Sequence, residues 1–293
     1  MTLPAEGWTS DDWRQLLLTD TDAQVRLAAL LAIADRGNPA SILPLFEAFQ
    51  NPRNTTDPWL KDGLIAAAAH HDHAFLTSCL AAAPSSPAAA EVMRTVARHH
   101  AATEPNALKL VLAAAGAPPE ASGPILEGLT SGWPAQRTPS LTPDAAARFQ
   151  AAVTKAPDAG KVALVQLALQ WGRVDLVAGQ IPAIAQRLIG AVSSATANDS
   201  DRIESARRLI AIQDSPASVS AILGQIRILT TPSLATGLIG TLTASRIPET
   251  ATAVVGRWAE FSPAMRRSAT ALLLRRKDWA LALLGAVEAG TLV

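Results

Sequence analysis

The chain has one cysteine, Cys79, and no tyrosine, and aromatic residues make up only 4% of it. A lone cysteine excludes an internal disulfide framework and a zinc site built on several thiolates. It does not exclude export, since many exported proteins lack disulfides. An excess of one charge is also missing: 25 basic side chains face 25 acidic ones, for a formal net charge of zero. Nucleic-acid binders carry a basic surplus, so nucleic acid is not favoured as a partner. No apolar run approaches the ~18–20 residues that a helix needs to cross a bilayer, so no membrane span is expected. The opening MTLPAEGWTSDDW has neither a basic nor an apolar leader region, so no signal peptide is expected there. Glycine-rich phosphate loops, G-x-S-x-G, H-E-x-x-H and C-x-x-C-H are all absent. No cofactor and no catalytic residue is therefore assigned.

What remains is an apolar chain of 293 residues, 49% hydrophobic and 17% charged, enough for a large core. Alanine is abundant and Val/Ile/Thr alternation is scarce, which favours helix over sheet. One phrase recurs: a capping residue, often followed by proline, then an apolar helix with basic residues. It appears as TDAQVRLAALLAIADRG from Thr21, TDPWLKDGLIAAAAHH from Thr56 and SSPAAAEVMRTVARHH from Ser85. Further copies are DSPASVSAILGQIRIL from Asp214, TTPSLATGLIGTLTAS from Thr230 and FSPAMRRSATALLLRR from Phe261. A Ser, Thr or Asp cap accepts from the open N–H groups of the first turn, and proline fits the first helical position because its missing N–H is not needed there. Three copies share a cap-x-x-apolar-basic order: Asp22/Val25/Arg26, Asp57/Leu60/Lys61 and Ser262/Met265/Arg266. Gly37, Gly116 and Gly172 stand where left-handed helix caps are expected.

About sixteen or seventeen helices are expected, joined by short turns. The longest break is TSGWPAQRTPSLTP, residues 130–143, a candidate soft hinge. Each helix pair is too small to be stable alone, and stacking pairs in chain order would bury a continuous core. The fold expected is all-α: a right-handed α-solenoid of antiparallel helix pairs, running over residues 1–293 as one body. The final helix, within residues 277–290, carries charge only at Lys277, Asp278 and Glu288. An end helix this apolar should either tuck under its neighbours or be covered, with self-association one route.

The stretch DAQVRLAALLA resembles the second helix of HEAT and armadillo repeats, in which D-x-x-V-R precedes spaced alanines. DPWLKDGLIAAAAHHDHAFL and LLLRRKDWALALLGAVEAGTL resemble the helical middle region of multidomain membrane-bound dehydrogenases of planctomycete-type bacteria. Those proteins carry a β-propeller before the helices and a c-type cytochrome after them. The resemblance implies a non-catalytic scaffold that presents a curved surface to protein partners or adjacent domains of a larger exported redox protein. Localisation would then be exported or periplasmic, and otherwise cytoplasmic. The alternative is a HEAT-type enzyme, a DNA glycosylase or chromophore lyase, which would need a charged concave cleft.

All five histidines fall between residues 70 and 100. His70, His71, His73, His99 and His100 are the weak metal candidates, but they lack the i, i+4 spacing of helical zinc ligands. The favoured reading is a helix corner, where histidine meets the carbonyl end of the helix dipole. Cys79, in FLTSCLAAA, reads as a buried hydrophobe. Trp13, Trp59, Trp171, Trp258 and Trp279 read as packing residues, and Trp8 and Trp133, in loops, as partner anchors. Arg207–Arg208, Arg266–Arg267 and the basic run 275–277 read mainly as solvated helix faces, with Arg266 and Arg267 kept as candidate partner contacts.

Overall fold

A computed structural model describes residues 8–290 other than 228, together with residue 292. The fold is all-α: 74% of the described residues are helical, with eighteen α-helices and no strand among them. The chain forms two compact units, Met1–Val177 and Ala178–Val293.

In the first unit, α1 (Ser10–Arg14) continues into a π-helical turn and is followed by α2 (Ala23–Arg36), α3 (Ile42–Gln50) and α4 (Pro52–Thr55). Then come α5 (Pro58–His70), α6 (Asp72–Cys79), α7 (Pro87–Thr103), α8 (Leu108–Ala115), α9 (Pro119–Gly132), α10 (Pro143–Lys155) and α11 (Asp158–Gln170). Packing is sequential: α2 lies on α5, α5 on α7, α7 on α9 and α9 on α11. A second row holds α1 on α3, α3 on α6 and α8 on α10.

The second unit contains α12 (Ile181–Ser193), α13 (Asp199–Ile212), α14 (Pro216–Leu223), α15 (Pro232–Thr241), α16 (Glu249–Gly256), α17 (Pro263–Leu273) and α18 (Lys277–Glu288). Here α13, α15 and α17 pack in series, and so do α12, α14, α16 and α18. In both units the substantial packing contacts join helices no more than three apart in the chain.

The recurring phrase starts a helix every time. Asp22, Asp57, Ser86, Ser215, Thr231 and Ser262 each accept a hydrogen bond from an amide of the first turn. The phrase is not confined to one row, however. The Ser215 copy opens α14, whose row partners are α12 and α16, whereas the Thr231 and Ser262 copies open α15 and α17 in the other row. A cap and a proline fix where a helix begins, but not which row it joins. Gly37 and Gly172 do adopt positive φ, at 58° and 70°. Gly116 does not: its φ is −95° and the chain there closes by tight turn bonds to Ala113 and Ala114 carbonyls.

Ties between neighbouring segments repeat at a nearly constant sequence step. Arg14 bonds Glu47 and Arg94 bonds Glu127, both 33 residues on, and Lys61 bonds Glu91, 30 on. In the second unit, Thr231 donates to Asp199 across 32 residues and Ser245 donates to Asp214 across 31. Arginine also reaches backbone carbonyls of the preceding segment: Arg257 to Ile226 and Arg276 to Ser245, each 31 back.

The closest approach is between α7 and α9. α9 carries the sequence GLTSG at 128–132. A Cβ at Gly128 or Gly132 would collide with the backbone carbonyl of Arg94 or Arg98 in α7. Thr130, between them, donates to the Ala163 carbonyl of α11 at 3.2 Å.

The expected break at 130–143 begins later than the sequence suggested, because α9 runs through Gly132. Arg137 in that loop donates to the Glu104 carbonyl at 3.0 Å and also to the Ala101 carbonyl, both at the end of α7. The boundary between the two compact units lies further on, at Val177/Ala178.

Candidate functional site

The histidines converge where α5 hands over to α6, beside the ends of α2 and α7. His70, the last residue of α5, stacks over Gly37 at the end of α2, where a Cβ would strike its imidazole. His71 forms the turn, and its buried Nε2 has no hydrogen-bond partner. Asp72 opens α6, accepting from the His73 amide at 2.5 Å. His100, only 1% exposed on α7, places Nδ1 3.1 Å from the Asp72 carboxylate. That contact is within ion-pair distance but off the hydrogen-bond direction, so Nδ1 is not satisfied as a donor. The His73 and His100 rings lie 5.7 Å apart.

The electrostatics follow from burial and close charges. Burial alone would raise the Asp72 carboxyl. The His100 contact, its charge, the His73 amide and the charge of His99 outweigh that, leaving the group below its ordinary value. His71 is lowered, chiefly by burial and then by neighbouring His70, against the pull of Asp72. Among the described residues, no group of three His, Cys, Asp or Glu side chains is arranged to hold a metal ion. What the corner does is fasten three helix ends through buried and half-buried polar groups.

Cys79 is buried, and burial pushes its thiol well above the ordinary range, so it is not a thiolate nucleophile.

Trp13, Trp171 and Trp279 are buried packing residues as expected, but other tryptophans fall differently from their expected places. Trp133 is 6% exposed, with its indole donating to the Arg137 carbonyl at 2.8 Å and its ring 5.1 Å from that of Trp171. Trp8 is half-buried and lies 4.8 Å from buried Trp13. Neither stands out as a free loop side chain. Trp59, expected to be a packing residue, is 75% exposed. The correction was legible in the sequence. Leu60, Gly63, Leu64, Ala67 and Ala68 make the buried stripe of α5, and Trp59 lies about 100° off it. Trp8 packs on Trp13, five residues on, and Trp133 bonds Arg137, four residues on, whereas the contact of Trp133 with Trp171 spans 38 residues and had no local signal.

Arg266 is half-buried and donates from Nε to the Phe261 carbonyl at 3.1 Å, just ahead of the α17 cap. Arg26 does the same at α2, donating to the Asp20 carbonyl at 2.8 Å and to Asn54 at 3.0 Å. The basic residue of the cap-x-x-apolar-basic order thus closes the turn before its own helix at these two sites. Arg267, one residue on, is exposed. Arg207 pairs with Glu204, and Arg276 lies over the Trp279 ring at 4.8 Å. An open depression in the second unit includes Asp199, Arg202 and Gln225 in its lining. Its polar groups are already engaged: Asp199 accepts from Thr231 and Ser233, and Arg202 donates to the Val192 carbonyl and Gln225.

Comparison with protein-family models, curated proteins and solved structures returns no match. Nothing in those comparisons links the chain to dehydrogenase–cytochrome proteins. No helix among the described residues is long and apolar enough to cross a membrane.

Proposed function

We propose that each unit is a HEAT-like α-solenoid of antiparallel helix pairs, right-handed in its winding, and that the chain is a non-catalytic scaffold presenting helix faces to protein partners or adjacent domains. The observation that carries this reading is the nearly constant step of many of the cross-links. Side-chain ties recur at 30 to 33 residues, as at Lys61–Glu91, Arg94–Glu127 and Arg276–Ser245, so each segment is fastened to the next one along. That is the contact pattern of a repeat array, in which each repeat is stabilised mainly by its nearest neighbours. Placement within a larger exported redox protein belongs to the same proposal and rests on the two stretches quoted above. Coding sequence next to this segment that specifies a propeller or a C-x-x-C-H haem motif would support it.

The architecture is tested by cutting the array at its unit boundary. Residues 1–177 alone should keep helical circular dichroism and a cooperative melt, and a fragment without either would count against nearest-neighbour stabilisation. The scaffold role is tested at Trp59, the most exposed tryptophan. A quantitative comparison of proteins retained from source cells by the wild-type chain and by Trp59→Ala should show a specific partner lost or weakened at least about tenfold. Identical retention would remove this face of α5 from the binding surface.

A further inference from the structure

α18 has two faces with opposite fates. Trp279 and Leu283 point inward and are buried against the rest of the second unit. On the far side, Leu281 and Leu284 are 58% and 56% exposed. Lys277 and Glu288 are also exposed and stand at the two ends of the same stripe. The spacing Lys277–Leu281–Leu284–Glu288 is four, three and four residues, which keeps all four within about 60° on a helix of 3.6 residues per turn. Neither Lys277 nor Glu288 forms an ion pair among the described residues. Gly285, beside the two leucines, has open space where a Cβ would stand, so another helix can approach closely.

This stripe is self-complementary when inverted. Turned end for end about its midpoint, it sets Leu281 against Leu284 and Lys277 against Glu288. A two-fold axis repeats each of these contacts, giving two leucine contacts and two opposite-charge pairs in all. A parallel pairing would instead set lysine on lysine and glutamate on glutamate. We propose that this face of α18 is a docking surface for a second copy of the chain, joined as an antiparallel, two-fold symmetric helix pair. The inference is independent of what the scaffold binds elsewhere, and its failure would leave that reading untouched.

Sedimentation velocity of the full 293-residue chain over a wide concentration range tests it, and the expected result is a reversible monomer–dimer equilibrium. Leu284→Glu should give monomers with unchanged helical content, and with an unchanged melting midpoint at concentrations where the wild type is itself monomeric, because the side chain is exposed in the monomer. Lys277→Glu and Glu288→Lys should each weaken the dimer about tenfold, since each converts two attractive pairs into like-charge pairs. The double exchange, Lys277→Glu with Glu288→Lys, should restore wild-type affinity. A wild-type chain that stays monomeric throughout would overturn the proposal, as would a dimer that survives Leu284→Glu. Failure of the double exchange to restore association would exclude the antiparallel register.

Discussion

α7 and α18 both bury an apolar stripe, yet they end in different environments. α7 has α5 on one side and α9 on the other, and it buries Ala89, Val92, Met93, Val96, Ala97, His100 and Ala101. Among the described residues α18 packs chiefly on α16 and α17 and buries Trp279 and Leu283, leaving Leu281, Leu284 and Val287 more than half exposed. Amphipathic pattern alone does not separate them. Burial is set by how many neighbours a helix has, and α18 lacks the neighbour that α9 supplies to α7. A glycine therefore means different things in the two places. At Gly132 it lets two backbones touch; at Gly285 it leaves empty space that any side chain could occupy.

The sharpest break of the α7 side is Gly132→Leu. Its side chain would have to displace the α7 backbone at Arg98, and loss of about 3 kcal/mol or more is expected, read as a lower urea midpoint with segment-resolved hydrogen exchange confined to the first unit. His100→Ala follows. It leaves a cavity and strips Asp72 of its buried neighbour, at a cost of about 1–3 kcal/mol, measured the same way.

Acid sharpens the contrast between the units. His71 has a lowered folded-state pKa, so the folded form resists protonation, and stability is lost as pH falls below about 6.5, the ordinary histidine value. Asp72 is also lowered; its contribution is present above the ordinary carboxylate value and disappears as pH falls through its folded value. Both act in the first unit, and the second contains no histidine. Hydrogen exchange corrected for intrinsic rate should therefore show protection lost first in α5–α7 between pH 7 and pH 5, with α13–α17 little changed. Equal loss in both units would refute the corner's role.

The smallest expected effect is a gain. Gly285→Ala should stabilise the chain by about 0.5–1 kcal/mol, because it meets nothing and reduces the freedom of the unfolded chain. The same substitution at Gly132 should go the other way.

The caps and the proline starts were legible residue by residue. Each depends on contacts within about one helical turn, so Asp57, Ser86 and Ser262 could be placed without knowing what lies beyond the helix. The histidine corner was legible in outline, from histidines placed at a turn between two helices. The pairing of Asp72 with His100 in particular was not, because it needs the separation and roll of α6 against α7.

From its own pattern the chain determined that it would be helical and where its main helices begin, since these follow from local hydrogen bonding and from 3.6-residue periodicity. Tertiary structure alone decided that Trp133 is covered and that α14 joins the row of α12 and α16. It also decided that α18 keeps a leucine face open to solvent. Those outcomes turn on which surfaces meet across about 30 residues of chain, and an amphipathic stripe does not specify its partner.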